Sequence, residues 1–460
     1  MIRRGYGVIK ALSRQLDFAF VYLAGVTLLG IYLRVLWVLK IPSKPVFDFA
    51  TFQEIATNIF RHRGHTYWGQ PIAFQGMAYQ TVLGYLYRLV GSNDLLVAKL
   101  FNVVLSSLTL VAFLFILRKL TDKKPFILTA YTLLALLPNY IAYNNVVGTE
   151  VFFTFFFVLV VLLQLLSFDG RLRYPLLGVF TGIAALTKPF LLAYPVVVGV
   201  TVWLQKRSLK TAVLAFVAVF LVMCLVVAPW TYRNYRVFGH FIPVSYNAGL
   251  ILYTTNNDNN TTGMWMPLTE VALSGEVRAQ VKAILRAHHG TVKLSPELDA
   301  VLGPQAVEWI KEHPGRFLEL GFLRLKQTFF AGASDIRSWA MNDFPPRRTE
   351  WEEVRYQRNL NAFIGLCDAV VYLLSSFGLI FVLLNLKGLL RGLFKRDFRL
   401  DNLAVIPTLN ILYFATVYFV FEGQPRYNFP VLFLLVICLA WGIEVFRTRL
   451  GAEGAQKKIL

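Results

Sequence analysis

The sequence predicts an all-α polytopic membrane protein of about ten transmembrane helices, with an amphipathic helix in its first external loop and a small, mostly helical external subdomain. Three observations carry that prediction. Of 460 residues, 56% are hydrophobic and only 16% charged, with a mean hydropathy of +0.55, which excludes an ordinary soluble globular chain. Apolar runs of about 20 residues, the length that crosses a hydrocarbon core of ~30 Å, recur along the whole chain. The short loops between them carry Lys and Arg in alternation, the pattern that marks the cytoplasmic side.

The formal charge of +20, from 46 Lys and Arg against 26 Asp and Glu, would suggest nucleic acid in a soluble protein. Here most of the excess falls in the short basic loops and serves topology. Cys224, Cys367 and Cys438 lie inside apolar segments without paired spacing, so they form neither a disulfide framework nor a zinc motif.

The segment before residue 18 carries Arg3, Arg4, Lys10 and Arg14 and lacks a small-residue cleavage site, so the first run reads as a retained anchor. Apolar runs then fall at 18–39, 95–117, 126–143, 151–167, 174–187, 190–204, 211–230, 361–386, 402–421 and 427–445. With the N-terminus in the cytoplasm, the clusters at 118–124, 171–173, 206–210, 387–399 and 447–458 all lie inside. The segment 174–204 would be one tilted helix of roughly 45 Å, but a single crossing puts a basic cluster outside. It is therefore expected as a hairpin of two short helices with Lys188 and Pro189 at its tip. A charge at that depth needs protein, water or an anion around it; the plainer reading is a lysine snorkelling to the interface.

Three parts follow: an N-terminal membrane domain, 1–230, with its first external loop at 40–94; an external subdomain, 231–360; and C-terminal membrane helices with a cytoplasmic tail, 361–460. Between 49 and 60, Phe49, Phe52, Ile55, Ala56, Ile59 and Phe60 recur at helical spacing, which describes a helix lying on the membrane surface, with Asp48 at its N-cap. The second external segment opens with the loop-like Asn256 to Thr262 and offers helical patterns near 268–288, 297–312 and 315–331, broken at His313-Pro314-Gly315. Asn259 and Asn260 each start an N-glycosylation pattern. The terminal Lys457-Lys458 reads as a basic cytoplasmic tail or a dilysine retrieval signal.

Phosphate-binding loops, HExxH and CxxC motifs are missing from the sequence, so any chemistry is assembled from separated residues. The topology places ionisable groups at the outer ends of different spans: Asp48, Glu150, Lys188, Arg233, Arg236 and Arg426. Carboxylates and cations on one membrane face suit transfer from a lipid-linked phosphate. Cations stabilise the leaving phosphate, arginine best through its fork, and a carboxylate takes the proton of an acceptor hydroxyl.

The order of these pieces resembles the GT-C glycosyltransferases, in particular the family-39-like branch of protein O-mannosyltransferases and the lipid A aminoarabinose transferase. The matching pieces are Asp48 before an amphipathic helix, Thr149-Glu150, Leu186-Thr187-Lys188-Pro189, the run Ala228 to Tyr235, and Pro425-Arg426-Tyr427 with Pro430, spread over residues 30–435. The resemblance implies that Asp48 is the catalytic base and Glu150 a second acid near the sugar. It implies that Lys188, Arg233 and Arg426 hold the donor phosphate, with Arg236 and Tyr427 as further candidates. Phe49 follows Asp48 where many members carry an Asp-Glu pair.

Each residue has a plainer reading: Asp48 as a helix cap, Glu150 as a helix-start acid favoured by the dipole, Arg233 as the cation flanking an aromatic belt, and Arg426 in a surface pair with Glu422. His62 and His65, three apart, are the candidate metal ligands. The resemblance fixes no cofactor, since some relatives use a divalent cation and others none. The expected partners are a polyprenyl-phosphate-linked sugar donor, a glycan, lipid or protein acceptor and the bilayer, without nucleic acid. The expected setting is a bacterial cytoplasmic membrane with the site facing outside and both termini inside. Two rivals stand beside this reading. A transporter or flippase would place its charges near mid-membrane, and a non-catalytic envelope-assembly scaffold would tolerate loss of Asp48, Glu150 and Lys188.

Overall fold

The computed structural model describes residues 2–166, 170–343, 349–394 and 400–456; the Lys457-Lys458 pair lies outside them. Almost all of the described chain is helical. In order, α1 is Ile2–Lys40, α2 Asp48–Phe60, α3 Ala78–Val90, α4 Leu95–Leu120, α5 Lys124–Ala135, α6 Pro138–Ala142, α7 Thr149–Leu165, α8 Gly170–Thr187, α9 Pro195–Lys206 and α10 Leu209–Phe238. Then come α11 Ala248–Thr255, α12 Gly275–Ala287, α13 Glu297–Glu312, α14 Pro314–Phe329, α15 Glu350–Phe394, α16 Asn402–Val420 and α17 Leu432–Gln456.

Every apolar run of the sequence lies on a helix, and the chain is an integral, multi-pass membrane protein. Among the described residues, six segments have the length and composition to cross a bilayer alone: Phe18–Lys40 of α1, α4, α10, α15, α16 and Pro425–Arg449, which joins a 3-10 turn to α17. The run at 126–143 is a broken pair, α5 and α6, bent by 41°. The break falls at Leu137-Pro138, where proline has no N–H to continue the ladder. The carbonyl of Ala135 freed there accepts a 2.7 Å hydrogen bond from Nη1 of Arg34, which is fully buried in α1. α7 and the Leu172–Thr187 part of α8 are shorter apolar helices.

The expected hairpin around Lys188 is present. Gly178 and Gly182 of α8 lie against Val222 and Val226 of α10 in rising order, so these two helices run parallel. α9 meets α10 through the tight turn at Arg207 and Ser208 and sets Gly199 against Ala212 and Phe216, so it runs the other way. The chain therefore reverses between α8 and α9, with Lys188 followed by the 3-10 turn Pro189–Ala193.

Two expectations about the first loop need correction. The apolar face of α2 does not lie on a membrane surface: Phe49, Phe52, Ile55, Ala56 and Ile59 are buried in the protein, with Phe52 edge-on to Tyr79 of α3 at 6.1 Å. An amphipathic period says that one face leaves water but not what covers it. Nor does Asp48 cap the helix. It is the first helical residue, and the flanking Phe47 has φ 51° and ψ −117°, a backbone region that non-glycine residues enter only under strain. Its ring is 77% exposed. After α2, Thr66–Tyr67 and Gln70–Pro71 form a two-stranded hairpin, turned by Trp68 and Gly69 at positive φ, the backbone that tight hairpins prefer.

The segment α11 to α14, expected as an external subdomain, is fastened by a second fully buried arginine. Arg324 of α14 donates to the carbonyls of Thr255 (2.7 Å), Phe419 (2.6 Å) and Val420 (3.3 Å) and to the Asn256 side chain. It thereby joins the open C-terminal ends of α11 and α16. The Asn-rich stretch expected as a loop is largely interior, since Asn256, Asn257 and Asn260 are buried. Asn256 and Asn257 donate back to the carbonyls of Leu252 and Tyr253, 2.8 and 3.0 Å away. Asn260 is spent on Thr254 and Met264 carbonyls, so its amide is closed to glycosylation in the folded chain, whereas Asn259 is exposed.

Candidate active site

Five of the residues expected from sequence come together: Asp48, Glu150, Lys188, Arg426 and Tyr427. Asp48, at the start of α2, points its carboxylate at two cations: Nη2 of Arg426 lies 3.4 Å from Oδ2, and Nζ of Lys293 lies 3.4 Å from Oδ1. Beside them Lys188 is 3.5 Å from Oε1 of Glu150, which is buried. Tyr427 joins the two pairs, with the Lys188 ammonium 5.8 Å and the Arg426 guanidinium 5.4 Å from its ring. These groups arrive from five places in the sequence, each at a helix end or a break between helices.

The local reasons differ. Glu150 opens α7, where the unpaired N–H groups favour an acid. Lys188 occupies the break before Pro189. Arg426 lies in the 3-10 turn Pro425–Val431, which Pro425 and Pro430 hold out of α-helical geometry. Aromatic faces then frame its guanidinium, with Phe49 at 5.5 Å and Trp339 at 5.8 Å. Glu422 does not form the surface pair expected with Arg426. It is buried and accepts hydrogen bonds from the Tyr427 hydroxyl at 2.6 Å and from the Gln424 amide.

The electrostatics follow from this packing. Burial would raise the Asp48 carboxyl, but Arg426 and Lys293 outweigh it and hold it below the ordinary carboxylate range. Burial raises Glu422, against the opposing pull of the Tyr427 hydroxyl and Arg426. Burial also pushes Asp335 up to about 6, with the Tyr143 hydroxyl hydrogen-bonded to it. Asp335 immediately precedes the wide π-type turn Ile336–Ala340, which carries Trp339 to Arg426. Oε2 of Glu150 and Nε of Arg426 are buried without a hydrogen-bond partner among the described residues. The site thus keeps unused acceptor and donor capacity beside paired charges, an arrangement that favours an incoming polar ligand.

The remaining expected residues lie apart. Arg233 spends its donors on the carbonyls of Ile72 (3.1 Å) and His65 (3.3 Å) and stacks on Trp230 at 4.6 Å, so it braces the first external loop. Arg236 is exposed, 3.2 Å from the Tyr232 hydroxyl. His62 is exposed at positive φ. His65 packs edge-on to Trp230 at 4.8 Å and lies 3.3 Å from the Thr81 hydroxyl; burial and the Arg233 charge push its imidazole down to about 3. Among the described residues no three His, Cys, Asp or Glu side chains gather where one metal ion could sit.

Sequence reasoning missed Lys293, Asp335 with Tyr143, and Trp339, and it gave Glu422 the wrong partner. All but Tyr143 lie in the second external segment or a connecting turn. The one signal present was the five-residue turn 422–426, which holds Glu422 and Arg426 together.

No protein-family model and no curated protein matches this chain. Solved structures with similar folds include the archaeal oligosaccharyltransferase AglB from Archaeoglobus fulgidus in complex with an inhibitory peptide and a dolichol-phosphate. It is 14% identical, with 97% of this chain and 52% of that chain covered and a TM-score of 0.49. The Archaeoglobus fulgidus oligosaccharyltransferase in its apo form gives 13%, 95%, 52% and 0.49. ArnT from Cupriavidus metallidurans bound to undecaprenyl phosphate gives 15%, 91%, 77% and 0.43. The chain spans about half the length of the oligosaccharyltransferases it matches. At these TM-scores the likeness is one of general architecture, and the roles of the site residues rest on their own geometry.

Proposed function

We propose that this protein is an integral-membrane glycosyltransferase that moves a sugar from a polyprenyl-phosphate donor to a hydroxyl acceptor outside the cytoplasm, in an inverting single displacement. The observation that supports it best is the meeting of a doubly paired carboxylate, Asp48, with an arginine, Arg426, that has donors to spare and a partly buried lysine, Lys188, next to it. Asp48 takes the proton of the acceptor hydroxyl as the new oxygen–carbon bond forms at the anomeric carbon. The bond from that carbon to the phosphate oxygen breaks, its electron pair stays on the phosphate, and Arg426 and Lys188 stabilise the charge. Glu150 keeps Lys188 charged at depth and turns its free Oε2 toward the sugar hydroxyls.

The test is transfer by purified protein from a panel of radiolabelled polyprenyl-phosphate sugars to glycan, lipid and peptide acceptors. Asp48→Asn is expected to lose about 10²–10⁴-fold in rate while still binding donor, and Lys188→Ala to weaken donor binding about tenfold. A folded Asp48→Asn protein that transfers as fast as the parent removes Asp48 from the role of base.

A further inference from the structure

The two cations on Asp48 are held in different ways. The Lys293 ammonium has three donors, and three acceptors meet it: Oδ1 of Asp48 at 3.4 Å, Oγ1 of Thr51 at 2.6 Å and the Phe47 carbonyl at 3.4 Å. All three acceptors belong to the start of α2, so the ammonium is saturated by the helix turn that carries the base. Its position is fixed from the other side as well, since Thr291 caps the short 3-10 turn Val292–Leu294 and the Lys293 carbonyl accepts the Tyr246 hydroxyl at 2.7 Å. Arg426 has five donors, and its one hydrogen bond among the described residues is the 3.4 Å contact with Oδ2. The rest of its guanidinium rests on aromatic faces, which hold a cation without using its N–H groups.

We propose that Lys293 is the positioning residue of the reaction: it stays on Oδ1 when Arg426 turns from Asp48 to the donor's phosphate, so the base remains anionic and aimed with Oδ2 free for the acceptor hydroxyl. This deepens the glycosyltransferase reading and rests on it. The donor phosphate competes for Arg426, the cation with unused capacity. Were Arg426 the only partner of Asp48, donor binding would strip the carboxylate of its counter-charge. Lys293 prevents that, and because it sits in the external subdomain, the base is complete only while that subdomain is docked on α2.

Other charged or titratable groups face Asp48 as well. Glu422, Tyr427 and Lys188 lie within electrostatic reach of it, Glu54 lies further along α2, and the Tyr67 ring is 6.0 Å from the Lys293 ammonium. The test isolates Lys293 from these by a neutral variant of similar length, Lys293→Met, with Lys293→Arg as the charge-preserving control. In Lys293→Met the acid limb of kcat/KM moves up by about one pH unit, the size expected for loss of one close opposite charge. The KM for donor stays within about twofold, and Lys293→Arg restores the parent profile.

An infrared titration of the Asp48 carboxyl, assigned by difference from Asp48→Asn, shows the same displacement without any turnover. If Lys293→Met raises donor KM and leaves the acid limb and the carboxyl titration in place, Lys293 is a phosphate ligand and the proposal is overturned. An unmoved profile with unmoved KM overturns it too. Loss of folding, read as loss of a monodisperse particle, is controlled by Lys293→Arg and by the infrared titration of whatever fraction remains folded. Failure of the underlying reading is distinct, because Asp48→Asn would then remain active whatever Lys293→Met does.

Discussion

Arg34 and Arg324, both fully buried, and Arg426, only partly buried, are arginines with opposite employments. Arg34 donates to the Gly30 and Ala135 carbonyls at 2.8 and 2.7 Å and to the Ser106 hydroxyl at 2.8 Å. Arg324 reaches three carbonyls and an amide oxygen. Both sit where a helix ends inside the protein, and both replace the amide donors that the chain has ceased to supply. Neither forms an ion pair among the described residues, and each leaves only one nitrogen over, Nη2 or Nε. Arg426 has a carboxylate on one nitrogen and aromatic rings around the rest. A guanidinium whose N–H groups end on main-chain oxygen is a fastening; one framed by π-faces keeps donors for a further ligand.

That contrast can be broken by experiment. The largest effect is expected for Arg426→Gln, which removes transition-state charge stabilisation and lowers kcat by about 10²–10³-fold with little change in thermal midpoint; a collapse of the midpoint would move Arg426 into the structural group. Next comes Arg324→Met. It strands the buried carbonyls of α11 and α16 and is expected to cost about 3 kcal/mol of stability, read as earlier loss of the monodisperse particle on heating. Any protein that survives should keep its donor KM.

The smallest effect concerns pH. Asp335 has its folded carboxyl raised to about 6, so its contribution to stability is present below the ordinary carboxylate value and is lost as pH rises through about 6. Asp335→Asn should therefore flatten the stability profile between about pH 4 and 6, and a variant as pH-sensitive there as the parent would show that another group titrates.

Asp48, Glu150, Lys188 and Arg426 were legible in the sequence for one physical reason. Each stands at the edge of an apolar run, where a charge must find a partner or water, and the positive-inside pattern put all of them on one face. The all-helical membrane architecture was legible from hydropathy. The partners were not. Lys293 reaches Asp48 from a distant segment in which no motif marks it, so its approach is a product of tertiary folding. Arg233 was misread because an arginine among Trp230, Tyr232 and Tyr235 has the same signature whether it faces a ligand or braces a loop. The surface placement of α2 failed because lipid and protein are alike to an amphipathic pattern, and the N-cap failed by one residue, at Phe47.

Phe47 has a consequence for anyone who tries to make this protein sturdier. Its positive φ costs on the order of 1–3 kcal/mol for a non-glycine residue, yet the residue held there is largely exposed, its ring edge-to-face with Trp339 at 5.9 Å. Glycine would keep the carbonyl that receives Lys293 and shed the strain. A selection for thermal endurance alone would therefore converge on glycine at 47, trading away an aromatic surface beside Asp48, and the most durable version of the protein need not be the one that works.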